Sequence, residues 1–303
     1  FGWRAVFVVP LVGGIVVAAA GVKHVQNVGE RSNTTLDILS VVLLAAGITA
    51  FVYSVGEFST NLVGGTVTLF AAVVLLGLFA ARQLKLEHPV LNVRPMASVR
   101  FWPACLLVVV SMMTTFSMSV LLPLYFEGAY GMTALVAGLL ILPAIACNAV
   151  TSIVGGRVMD ARGAWPLLPV GFALIAVGQT AISVTAVSMN IGVVVALTVV
   201  VYAGVGLVLS PSQTAGLETL PAAEHPHGTA LLNTWNMIAA SFGPSLFIGL
   251  LSSSAATAGA AGAATDVAQA IGFAAAVRVA AVIAVVGFVT SLVYARRESH
   301  MSH

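Results

Sequence analysis

The clearest chemical constellation in the chain is a carboxylate set between two guanidinium groups. In Gly155-Gly156-Arg157-Val158-Met159-Asp160-Ala161-Arg162-Gly163, Asp160 can form ion pairs or accept hydrogen bonds, and the glycines permit a turn and close helix approach. Covalent chemistry has no comparable arrangement. No hydroxyl, thiol or carboxylate stands at readable spacing from a histidine base, and the phosphate-cradling string G-x4-G-K-[ST] does not occur. Cys105 and Cys147 lie in apolar runs, where thiols pack as small hydrophobes. The six histidines offer no metal-ligand spacing, and His225 and His227 flank Pro226 in a loop-like stretch. These observations predict a protein that is not an enzyme and needs no cofactor or metal.

Other groups suit binding rather than reaction. Asp37 opens an apolar run, where it can cap a helix N-terminus or take part in ion coupling. Glu57 and Glu127 stand at run ends, as expected of interfacial carboxylates. Glu127 borders Tyr125, Phe126 and Tyr130, rings on which a cationic aromatic compound could stack. Arg278 interrupts an apolar run and is expected to snorkel or find a partner. The amides Asn148, Gln179, Gln213, Asn233 and Asn236 suit interhelical hydrogen bonds or the lining of a substrate path. Met112, Met113, Phe116, Met118 and Trp102 form either a packed face or a soft wall for varied apolar substrates.

The elements that must position these groups follow from composition. Only 22 of 303 residues are charged and 59% are hydrophobic. A soluble chain carries about 25% charge, so this one cannot cover its surface in water. A net charge of +2 gives no reason to expect a nucleic-acid partner. The apolar runs predict an all-α polytopic membrane protein with spans at 5–22, 36–56, 62–81, 103–124, 134–155, 166–187, 190–210, 234–254 and 272–294. A barrel would alternate over about ten residues per strand, whereas Ala71–Ala81 and Val193–Val201 are apolar on every face. The long uncharged interval 163–217 divides into two helices near Ser188-Met189-Asn190.

Lys and Arg set the expected orientation. With nine spans, ten of the 12 basic residues fall on one side: Lys23, Arg31, Arg82, Lys85, Arg94, Arg100, Arg157, Arg162, Arg296 and Arg297. Arg4 and Arg278 fall on the other. The positive-inside rule then puts the first residue outside and the carboxy-terminus in the cytoplasm. Residues 82–102, with Pro89 and Pro95, form a basic cytoplasmic connector, and the Ala/Gly tract 255–271 an outer loop.

Several strings resemble one family in order and spacing. Gly155–Gly163 resembles the loop motif of the major facilitator superfamily. Gly2-Trp3-Arg4-Ala5-Val6-Phe7 with Pro10 resembles a helix opening in its 14-span drug:proton antiporter branch. Leu122-Pro123-Leu124-Tyr125-Phe126 with Gly131, then Ala137–Pro143, resembles that branch's ninth-to-tenth helix connection. Gly204-Val205-Gly206-Leu207 with Pro211, and Gly228-Thr229-Ala230 through Asn233 and Gly243, match its next landmarks. Ala161 and Ala164-Trp165-Pro166 depart from the loop motif, making this its degenerate second-half version.

The resemblance implies a partial major-facilitator fold covering the sixth to fourteenth helices. Residues 1–22 would end an amino-terminal bundle, 23–81 would hold two central extra helices, 82–102 the connector, 103–294 a six-helix bundle and 295–303 a cytoplasmic tail. Gly156, Asp160, Arg162 and Gly163 would form a gating or structural motif. Met113, Phe116, Tyr125, Glu127, Asn148, Gln179, Gln213 and Asn236 would be candidates for the substrate path, with Asp37 for ion coupling. The implied function is proton-coupled export of amphipathic drug-like or cationic compounds across the plasma (inner) membrane. Its partners are the lipid bilayer, the substrate, protons and the five absent helices that function requires. A non-transporting fragment or scaffold is the alternative.

The orientation has a direct test. A cysteine placed at Thr265 should react with a membrane-impermeant thiol reagent on intact cells, and one at Ser299 only after permeabilisation. The reverse pattern would overturn both the span count and the orientation.

Overall fold

The computed structural model describes residues 5–24, 37–57, 61–86 and 89–299. Among these residues every regular element is helical. Residues 1–36 and 37–303 form separate units. The first holds α1 (Ala5–His24), apolar along its length with Pro10 in its second turn. The string at Gly2-Trp3-Arg4, the basic residue Arg31 and residues 300–303 lie outside the described residues, as do the side chains of Lys23, Arg296 and Arg297.

The second unit begins with a helical hairpin, α2 (Ile38–Glu57) and α3 (Leu62–Lys85). Asn61 caps α3 by accepting a hydrogen bond from the Gly64 amide at 3.0 Å. Gly47 lies against Leu76, so α2 and α3 meet where one side chain is absent. After a short 3-10 turn at Arg94–Ala97 come α4 (Phe101–Tyr130), α5 (Ala134–Arg162), α6 (Leu167–Thr185), α7 (Ile191–Glu218), α8 (His225–Ala260) and α9 (Thr265–Ser299). All eight helices of this unit are long and apolar enough to cross a membrane.

The division near Ser188-Met189-Asn190 is present. A 3-10 turn at Ala186–Ser188 leads to Met189 at φ 53°, and Asn190 caps α7 through the Val193 amide. Three expectations need correction. Gly155–Arg162 is not a loop but the last two turns of α5, and only Gly163, at φ 73°, ends that helix. The tract 255–271 is not an outer loop: α8 runs to Ala260 and α9 starts at Thr265. The His225-Pro226-His227 stretch is helical as well, because proline at a helix's first positions gives up only an amide that has no intrahelical partner.

Packing in the six-helix bundle centres on α7, with α4 and α9 each also touching several neighbours. α5 lies along one side of α7 and α6 along another, while α4 packs against α7, α8 and α9. The α7 contacts are backbone-close. A Cβ at Gly206 would meet Asn148 O at 2.6 Å and Ser152 N at 3.0 Å on α5. One at Gly204 would meet Gly171 O at 2.6 Å on α6. The reciprocal glycines are Gly155, where a Cβ would come 3.2 Å from Gly206 O, and Gly171. The close approach therefore belongs to Gly155, and Gly156 has nothing within 4 Å. Phe172, Tyr125, Phe126, Phe247 and Phe273 are fully buried in the principal core. A second cluster joins Phe79 and Leu91 to Phe101, Cys105, Val108, Leu220, Leu231 and Leu232 beneath the connector.

This geometry predicts a sharp asymmetry between glycines. Gly206→Val should destabilise the detergent-solubilised protein by about 1–3 kcal/mol or more, since backbone rather than a movable side chain stands in the way. Gly156→Ala should leave its thermal midpoint near that of the parent. Both are read by fluorescence-detected size-exclusion after heating, and equal tolerance would refute the α5–α7 contact.

Candidate functional site

The positions singled out for binding differ in burial and in hydrogen bonding. Near the end shared by the start of α4 and the finish of α7, Gly216 packs on Ala104. Gln213, half-buried, is one turn from that contact, and Asn236, also half-buried, lies two turns beyond Gly228 on α8. Asn148 sits further along and is committed: its Nδ2 donates to Tyr202 O on α7 at 3.1 Å. Met113 is buried, with its backbone against Gly243 of α8. Phe116 is 40% exposed, so its ring is open to lipid or ligand.

Tyr125 is fully buried. Its ring stacks on Phe273 of α9 with centroids 4.2 Å apart, and its hydroxyl donates to Ala186 O at 2.8 Å. The stacking surface proposed for a substrate is thus occupied by the protein on that face. Glu127 is exposed beside it, on the last turn of α4. Tyr294 makes the matching bond at the other end of the bundle, donating to Ala215 O of α7 at 2.9 Å. That carbonyl is released from the helical ladder because the Thr219 amide turns to Gly216 O.

Gln179 differs from the other side-chain amides among the described residues. It is 0% exposed in the middle of α6, and neither Nε2 nor Oε1 has a hydrogen-bond partner. Ser117 Oγ and Ser212 Oγ are likewise buried without partners. Most other hydroxyls bond back to their own helix, as Ser111 does to Leu107 O and Thr198 to Val194 O. A buried primary amide without a protein partner costs free energy unless another group engages it.

The charged groups fall into two kinds. Asp160, Arg157 and Arg162 are exposed on the last turns of α5, and no hydrogen bond or ion pair among the described residues engages the Asp160 carboxylate. Asp37, by contrast, is held on several sides. Arg82 of α3 donates to it through Nε at 2.7 Å and Nη2 at 3.1 Å, and Ser40 Oγ donates at 2.6 Å. Asp37 stands just before α2, outside the span, and its carboxyl is held down to about 2 by the Arg82 guanidinium first and the Ser40 hydroxyl second. It is therefore ionised across the physiological range. Arg82, Ser40 and Gln83 were not singled out in the sequence. The signal was available in the hairpin itself, since two antiparallel helices of similar length bring the first residue of one beside the last turn of the other.

Comparison with known proteins adds the family. The Major Facilitator Superfamily profile matches residues 1–244. The chain is 30% identical to a lincomycin resistance protein of Listeria innocua over 253 residues, covering 82% of this chain and 54% of that one. It is 32% identical to a Bacillus subtilis protein described as an uncharacterized MFS-type transporter, covering 96% and 62%. A multidrug resistance protein B homolog of Mycobacterium tuberculosis is 24% identical, with 83% and 48% covered. The chain thus spans about half to three-fifths of the length of these relatives.

Gln179 gives this site a test that separates stability from function. Gln179→Leu removes an unpaired buried amide at similar size, so the thermal midpoint of the purified protein should rise, by about 1–3 kcal/mol in stability terms. A fall of that size would show that the amide is satisfied in the folded bundle.

Proposed function

The chain belongs to the Major Facilitator Superfamily, and from that premise we propose that it contributes to a secondary exporter of amphipathic, drug-like or cationic compounds. Its eight long apolar helices make it a multi-pass membrane protein, and its family is one of transporters rather than enzymes. In the proposed arrangement α4–α9 is the carboxy-terminal bundle of the 14-span antiporter plan and α2–α3 the central pair. Residues 82–102 form the connector, 295–303 the cytoplasmic tail, and 1–22 supply the last helix of the other bundle. Transport then proceeds by rocking of the two bundles about a shared site, with protons entering as substrate leaves. The similarity to proteins named for lincomycin and multidrug resistance carries the export reading.

The residues divide by role under this proposal. Phe116, Gln213 and Asn236, left half-buried or open on α4, α7 and α8, are the groups offered to a substrate, with Glu127 at the mouth. Gln179 is the polar group that gains most from a second packing of the bundle. Asp160 and Arg162, exposed and unengaged, suit contact with the opposing bundle at the basic end. Asp37, ionised and paired with Arg82, serves structure rather than proton exchange.

Efflux of a fluorescent amphipathic cation from vesicles tests the proposal. The chain joined to a five-helix amino-terminal segment of a relative should export the dye, collapse of the proton gradient should stop it, and Asp160→Asn should slow it at unchanged abundance. The chain alone should insert without transporting. Export that persists without a proton gradient would overturn the coupling, and no export by the completed protein would overturn the exporter reading.

A further inference from the structure

Five groups on three segments form one continuous hydrogen-bond chain at the basic end of the hairpin. The Leu91 amide, buried in the connector, donates to Gln83 Oε1 of α3 at 3.1 Å. Gln83 Nε2 donates to Ser40 Oγ of α2 at 2.6 Å, and Ser40 donates onward to Asp37 at 2.6 Å. Arg82 closes the end by donating to the same carboxylate. Gln83 and Ser40 are buried, at 1% and 0% exposure.

Every donor in this chain points toward Asp37, and the direction is dictated by chemistry. A backbone amide can only donate, so Gln83 must turn Oε1 to Leu91 and Nε2 to Ser40. Ser40 has a single hydroxyl proton and sends it to the carboxylate, which can only accept. Reversing any one link would leave a buried donor facing a donor. A chain that ends on an ionised group also polarises each preceding bond, strengthening it.

Leu91 is more than a loop residue at the chain's far end. Its side chain belongs to the cluster with Phe79 of α3, Phe101 of α4 and Leu231 of α8, against which Val93 and Met96 of the connector also pack. Arg94 adds a bond to Leu84 O at 3.3 Å. The connector is thus wedged between the hairpin and the bundle, and its seating depends on where the Leu91 backbone is held.

We infer that Gln83 is a positioning residue which, through Ser40 and Asp37, seats the connector at Leu91 and so fixes the hairpin to the six-helix bundle. The Asp37–Arg82 ion pair is the anchor of this chain; Gln83 and Ser40 carry its effect to the connector. The role goes beyond the transport reading and holds whether or not the protein exports anything.

Amide hydrogen exchange of the full chain in lipid nanodiscs, followed by mass spectrometry, tests it. Peptides from 89–100 report the connector, and peptides from 163–175 at the same end of the bundle report general loosening. Gln83→Leu, Ser40→Ala and Asp37→Ala should each speed exchange in 89–100 by about tenfold and leave 163–175 unchanged. Asp37→Asn keeps an oxygen for Ser40 but loses the charge and sets an NH2 against the Arg82 guanidinium, so it should speed exchange in 89–100 by an intermediate amount, about threefold to fivefold. Were Ser40→Ala and Asp37→Ala to leave 89–100 unchanged, the relay would be refuted in favour of a purely local Gln83–Leu91 bond. Equal acceleration of both regions would refute it too, by assigning these residues to global stability.

Discussion

Helices in lipid gain little by hiding apolar surface from one another, because the surrounding acyl chains are as apolar as the side chains. What remains is contact quality, and here it depends on how near other backbones come to α7. Gly206 meets α5 and Gly204 meets α6 on different sides of one helix, only two residues apart. Two residues turn a helix by more than half a revolution, so the pair serves two neighbours at one depth. The arrangement of α5 and α6 follows from this crossing, and with it the depth at which Asn148 reaches Tyr202 O. α4, α8 and α9 then pack round the remaining side of the core.

The hydrogen bonds that cross between helices in the bundle share a pattern. Tyr125, Tyr294 and Asn148 each donate to a main-chain carbonyl of another helix rather than to a side chain. A carbonyl on a helix backbone has a fixed place and a lone pair to offer, whether or not it is in the helical ladder, so such a bond costs little ordering of the acceptor. The hairpin is tied differently, by an ion pair and two buried polar side chains at its basic end. At α8 it is tied by an apolar contact, the stack of Phe51 on Phe242 at 5.3 Å. A polar chain demands one geometry, whereas stacked rings tolerate sliding, so the basic end is the more strictly defined of these two attachments.

Helix number and the turn at Ser188–Asn190 were legible because the energy of burying charge in hydrocarbon is large and local. Helix ends were not, and α8 shows why. Hydropathy marks the hydrocarbon, about 30 Å or 20 residues, while the helix continues wherever propensity allows. The sequence reading stopped this span at 254, yet the alanines beyond favour helix and carry it to Ala260, with Gly262 at φ 90° in the turn that follows. His225-Pro226 was misread as a break for the converse reason, since proline interrupts a helix interior but starts a helix well. Tyr125 was legible as an aromatic near a carboxylate but not as a core residue. Its partner Phe273 lies far along the chain, and nothing in the local pattern announces it.

The unpaired amide of Gln179 bears on how such a bundle could hold more than one arrangement. A core built only of apolar groups and self-bonded hydroxyls has no electrical preference between two packings of similar density. A bare amide changes that balance, because any arrangement that supplies it with a partner gains the hydrogen-bond energy that the present one lacks. Ser117 and Ser212, buried and unpaired on α4 and α7, carry the same bias in smaller measure. Their three helices meet closely through α7. The polar groups without a protein partner thus sit on helices whose backbones already meet closely. The tyrosine bonds to Ala186 and Ala215 hold the two ends of the bundle.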